Sequence, residues 1–96
     1  MPNLPTTVQI GPIQYSVQQW KLKNACGDTT YAKSRIRISN DLSEGVQAVT
    51  LWHEIVHGIL FGAGFYAGFH DEHTIDALAH GLVDVLRDNP ELREFY

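Results

Sequence analysis

Apolar and polar positions change rhythm along this chain, and each rhythm predicts a different element. Ile13, Tyr15 and Val17 alternate with Gln14, Ser16 and Gln18, a period of two that predicts a strand with one face in the core. Ile36 and Ile38 alternate with Arg35 and Arg37, which predicts a second strand over residues 31–39 with its polar side in solvent. A shorter strand is expected over 6–10, stopped by Gly11-Pro12. Residues 21–30 read as a polar connector with turn chemistry at Asn24, Gly27 and Asp28 and room for a helical turn. From 46 to 61 the rhythm turns helical, with apolar or small residues on nearly every side and a ridge of Val49, Trp52, Val56 and Leu60. A helix apolar all round is buried. Ser43 stands closest to its start as a cap.

The segment 65–71 is aromatic and glycine-bearing, so Phe65, Tyr66 and Phe69 suit either the wall of a pocket or a cover over a small core. Asp71 caps a second helix whose Ile75, Leu78, Ala79, Leu82, Val83 and Leu86 recur at helical spacing, and Asn89-Pro90 ends it. Residues 1–5 form an extended arm and 91–96 a C-terminal tail. The expected architecture is one α+β domain over 1–96. A small antiparallel or mixed sheet of two to four strands packs on the first helix, and the second helix lies alongside.

Three polar side chains interrupt the buried helix. His53 and His57 are four residues apart. That spacing turns a helix by only about 40°, so both imidazoles point one way, while Glu54 lies about 100° off. Burying two imidazoles and a carboxylate without partners costs several kcal/mol, roughly, so something polar or metallic must meet them. The H-E-x-x-H arrangement answers this with one zinc ion on the two imidazoles, an open position for water, and the glutamate as the base that takes that water's proton.

Catalytic zinc usually takes a third protein ligand, and His70, Asp71, Glu72, His73 and Asp76 lie downstream. Glu72 sits at the buried edge of the second helix's apolar stripe, whereas His73 is about 100° away. Glu72 is therefore placed to reach the ion most easily, with His73 or His70 as alternatives. Asp76, one turn on, suits the acceptor of a ligand imidazole's second N–H. His80 drifts toward the polar side and reads as a surface histidine. His70, Tyr66 or Tyr31 could each stabilise a developing oxyanion, and the pattern does not choose among them.

Composition narrows the partners. The seven Lys and Arg among 96 residues are scattered and the net charge is -4, which excludes a basic stripe for nucleic acid. Residues 46–69 carry no Lys or Arg, but Glu54 at mid-membrane would cost about 3 kcal/mol and four glycines punctuate the second half, so no membrane span is expected. Cys26 is the lone cysteine, which excludes an internal disulfide; it reads as a small semi-buried thiol, with an inhibitory zinc ligand as the alternative. The first residues lack the basic and apolar regions of a secretory leader, so secretion is not signalled, and the lone cysteine suits a reducing compartment.

His53-Glu54-Ile55-Val56-His57 followed by Glu72-His73-Thr74-Ile75-Asp76 resembles the gluzincin pattern of zinc metallopeptidases. With Tyr15-x-Val17, Gly27-Asp28 and Ile36-x-Ile38 ahead of the zinc helix, residues 10–90 look like the compact ImmA/IrrE-like peptidases of bacteria and phages. The resemblance implies a minimal zincin-like domain and a cytoplasmic endopeptidase acting on a peptide or protein substrate. It would use zinc-activated water, with Glu54 as general base and His53, His57 and Glu72 as ligands, and an edge strand, with that of Ile36 and Ile38 as the candidate, could hold an extended peptide by strand addition. The alternative is a catalytically inactive or latent zinc-binding interaction module, its open position blocked by Cys26 or the tail. A metal-free helical adaptor is the third reading.

Overall fold

The computed structural model describes residues 4–95. Most of the expected arm and the last residue of the expected tail lie outside that range. Leu4, the arm's described apolar residue, packs against the core. Four strands, β1 (Thr7–Ile10), β2 (Ile13–Trp20), β3 (Gly27–Thr30) and β4 (Arg35–Ser39), form one sheet in the order β1-β2-β4-β3. β1 and β2 make a hairpin about Gly11, whose φ of 57° is the left-handed conformation that glycine adopts without penalty. β4 pairs parallel with β2 and antiparallel with β3, so the sheet is mixed.

Three expectations about this half of the chain need correction. The connector over 21–30 contains a strand, β3, which is short, polar and at the sheet edge, and so carries none of the apolar alternation that marks a core strand. The second strand does not begin at residue 31. Tyr31–Lys33 form a 3-10 turn and Ser34 takes a φ of 47°, with its N–H donated to the Tyr31 carbonyl, so the chain reverses there before β4 starts. This reversal also turns the Tyr31 ring onto Phe61, stacked at 4.0 Å. Finally, β4 is interior and cannot take up a peptide at its edge; the free edge on this side belongs to β3.

Along β2 the period-two reading holds for Tyr15 and Val17, but Ile13, at the hairpin, is 41% exposed. Tyr15, Val17, Ile36 and Ile38 meet Leu51 and Ile55 of α1 (Glu44–Gly62) in the main core. Arg37, on the opposite face, is tied to Asp28 by a bidentate ion pair and lies over the Trp20 ring, so that face is partly covered by side chains rather than left to water. α1 is less enclosed than its composition implies. Its first turns are open at Val46 and its last at Ile59, while Leu51, Glu54, Ile55, Val56 and Gly58 are buried. Ser43 is the N-cap residue without a side-chain cap hydrogen bond.

Gly58 lets β1 close on the helix, since a Cβ there would meet Ile10 Cδ1 at 2.8 Å. Gly27 does the same for β3: a Cβ would lie 2.7 Å from Thr50 Cγ2 and 2.9 Å from the Arg37 carbonyl oxygen. These two approaches set how closely the sheet meets the helix.

α2 (Glu72–Asp88) begins after Asp71 as expected and packs chiefly on α1, with a 3-10 coil at Pro90–Phe95 folded behind it. Of its predicted apolar stripe only Ile75 and Ala79 are buried; Leu82, Val83 and Leu86 are half-buried and Leu78 is 51% exposed. A single layer packs on one side of a helix that covers nothing else, so the stripe's outer rows find no partner. Among the described residues no helix is long and apolar enough to cross a membrane.

Ile75→Ala should therefore cost about 2–5 kcal/mol, as expected for emptying a buried side-chain volume. Leu78→Ala should cost less than about 1 kcal/mol, although both belong to the same sequence stripe. Urea denaturation of the two variants checks the difference; equal losses would contradict the packing of α2 described here.

Candidate metal centre

His53 and His57 stand one turn apart on α1 and on one side of it, as the four-residue spacing requires. Their Nε2 atoms are 3.2 Å apart. Glu72, the first residue of α2, reaches both: Oε2 lies 2.9 Å from His53 Nε2 and Oε1 lies 2.9 Å from His57 Nε2. One donor atom from each of the three side chains falls within 4.8 Å of the others, a set that one metal ion can satisfy. Asp76, a turn beyond Glu72, places Oδ1 at 3.3 Å from His53 Nδ1. Carboxylates thus stand at both ring nitrogens of His53, Asp76 at Nδ1 and Glu72 at Nε2, and with Asp76 accepting an Nδ1–H the Nε2 lone pair is free for a cation. Burial pushes the His57 pKa down from the ordinary imidazole range, outweighing the opposing pull of Glu72.

Glu54 lies on the flank of the helix beside the cluster and is 5% exposed. The Thr29 hydroxyl donates to Glu54 Oε1 at 2.7 Å. Removal from water raises the Glu54 pKa, and neighbouring Glu72 and Asp28 add to the rise; Thr29 and His53 act the other way. Thr29 was not singled out from the sequence, because it belongs to the strand that polar composition hid. Its only sequence signal is the β-branched pair Thr29-Thr30 after Gly27.

A cavity of about 270 Å³ opens over the cluster, lined by Gly27, Thr29, Tyr31, His53, Glu54 and Glu72 among others. Tyr31 is the one oxyanion candidate that lines it. Its hydroxyl is 3.4 Å from the His57 carbonyl oxygen, and burial, reinforced by neighbouring acids, pushes its pKa up to about 12. His70 stands on the far side of His57 instead, with Nδ1 2.7 Å from His57 Nδ1 and Nε2 at the Phe65 carbonyl oxygen. Tyr66 is 59% exposed and leans edge-on against Phe61.

Phe65 and Phe69 are likewise exposed, and they line neither this cavity nor its larger neighbour. They neither cover a core nor wall these cavities. The neighbour, of about 550 Å³, shares His53 and Glu54 and is walled by Val46, Val49 and Cys26. Cys26 is exposed and lies outside the three-residue donor cluster, which corrects the semi-buried reading. His73 and His80 are exposed, and His80 Nδ1 donates to the Asp76 carbonyl oxygen at 2.9 Å.

Comparisons with protein families, with curated proteins and with solved structures return no match for this chain.

The raised Glu54 pKa has a definite sign in stability. The folded state holds that proton more tightly than the unfolded chain, so the contribution is fully present below the ordinary carboxylate pKa of 4.5 and is lost as pH rises through the elevated value. In metal-free protein, Glu54→Gln should thus gain stability over wild type at pH 8, and the gain should vanish at pH 4. Thermal melts in chelator at the two pH values read this directly.

Proposed function

We propose that this protein is a zinc-dependent peptidase of a minimal zincin type, in which His53, His57 and Glu72 hold one Zn²⁺ ion and Glu54 is the general base. The observation that carries the reading is the meeting of two imidazole nitrogens and a carboxylate at 2.9–3.2 Å, beside a buried glutamate and under an open cavity. Two histidines and a glutamate are a donor set typical of catalytic zinc, which leaves a coordination position free. Zinc bound there supplies a Lewis acid that lowers the pKa of water and polarises a carbonyl.

The chain's own residues supply the rest. Asp76 fixes the His53 ring and its tautomer. Thr29 holds one oxygen of Glu54, leaving the other to accept a proton from the attacking water and hand it to the departing amine. A carboxyl with a raised pKa is better matched to that double role near neutral pH than an ordinary one. Tyr31, which keeps its proton at neutral pH, is the hydroxyl on the cavity wall able to donate to an oxyanion.

Peptide selection follows from the sheet edge. Ser39 donates to the Cys26 carbonyl, and antiparallel alternation then turns the main-chain groups of Gly27 and Thr29 away from β4 and toward the free edge. An extended peptide adding there would lie along the cavity above Glu54. A substrate of this kind, met in the cytoplasm, is the partner class the reading implies.

Glu54→Gln should retain stoichiometric zinc and the fold but lose at least about 100-fold in cleavage of an unfolded protein substrate. His57→Ala should lose the zinc itself. Metal content by mass spectrometry and a cleavage time course test both, and unchanged turnover in Glu54→Gln would remove the catalytic assignment.

A further inference from the structure

The rings of His70 and His57 meet edge to edge through their Nδ1 atoms, with centroids 5.0 Å apart and planes inclined by only 17°. His70 Nε2 meets the Phe65 carbonyl oxygen. A carbonyl has no proton to give, so the proton at that contact belongs to His70 Nε2. The Nδ1 of a neutral His70 is then bare. It lies 2.7 Å from His57 Nδ1, and two bare nitrogens would repel at that distance, so His57 donates its Nδ1–H to His70. In that tautomer His57 Nε2 keeps its lone pair for a cation shared with Glu72 and His53, and Glu72 Oε1, 2.9 Å from Nε2, is the competing acceptor that His70 works against.

We infer that His70 is a positioning residue: it holds His57 in the Nδ1–H tautomer and aims its Nε2 lone pair into the donor cluster, anchored itself by the Phe65 carbonyl. Asp76 performs the same service for His53 from the other helix, with a carboxylate as acceptor. The two ligand histidines are therefore oriented by different chemistries, a carboxylate for one and an imidazole for the other. The glycine-bearing segment between α1 and α2, which the sequence reads as aromatic wall or core cover, has its polar task here. Phe65 caps the end of α1 through its N–H to the Leu60 carbonyl, and from that fixed point its own carbonyl receives His70. An acceptor behind an imidazole raises its strength as a ligand, and losing such an acceptor typically lowers metal affinity by about 10–100-fold.

This inference deepens the zinc-site reading, and two measurements separate their failures. In metal-free protein at pH 8, two-bond ¹H–¹⁵N spectra should show His57 as the Nδ1–H tautomer in wild type. His70→Asn, whose amide oxygen falls close to the former Nδ1, should preserve that pattern, and His70→Ala should shift it toward the Nε2–H form. Zinc titration against a chelator should then give a Kd about 10–100-fold weaker for His70→Ala and within about 3-fold of wild type for His70→Asn. Amide spectra that stay dispersed in both variants establish that they fold. An unchanged His57 tautomer in His70→Ala would overturn the inference even if zinc binds. Wild-type protein that takes up no zinc while showing the expected tautomers would overturn the metal reading and leave the role of His70 supported.

Discussion

α1 has to bury three polar side chains while serving as the central element of the fold, and that constraint organises the molecule. Leu51 and Ile55 commit one side of the helix to the sheet. α2 occupies another side. The sector between them is where His53 and His57 point, and it can be left neither dry and unpartnered nor simply open to water without forfeiting the packing on both flanks. The structure resolves this by bringing a polar partner to each ring nitrogen: Glu72 to both Nε2 atoms, Asp76 to His53 Nδ1 and His70 to His57 Nδ1.

The short edge strand performs the corresponding task for Glu54. β3 can approach α1 because Gly27 has no side chain to strike Thr50 or the Arg37 carbonyl. That approach delivers the Thr29 hydroxyl to Glu54, two residues farther along on the same face. On the other face Asp28 is clamped by Arg37, whose guanidinium rests over Trp20. A four-residue strand with one neighbour would otherwise be weakly held. Asp28 and Thr29 are thus divided by the pleat, one anchoring the strand and the other serving the site.

The parts of the fold legible in the sequence are those in which one residue's chemistry dictates its position. The histidine spacing on α1, Asp71 before α2, and Tyr15, Val17, Ile36 and Ile38 as core positions all follow from periodicity. Glu72 and Asp76 could be ranked above His73 by helix angle alone, and they are the acidic residues that reach the imidazoles. β3 escaped because its stability rests on a single ladder and an ion pair, neither of which leaves an apolar pattern. Leu78 was misplaced for the opposite reason: its stripe is real, but only one layer of protein lies against it. The aromatic run after α1 was ambiguous because ring content says nothing of direction, and the residue that turned inward there is the histidine.

α2 is fastened to the remainder by few fully enclosed side chains, chiefly Ile75 and Ala79, yet it carries both acidic groups that face the imidazoles. An element with so little interior contact separates at lower free energy than the sheet and central helix. Detachment of this one segment would dismantle the polar cluster while the hydrophobic nucleus stayed assembled. Integrity of the site and of the fold are thus two different equilibria in this small chain, and whatever stabilises the first acts as a clasp on the C-terminal third.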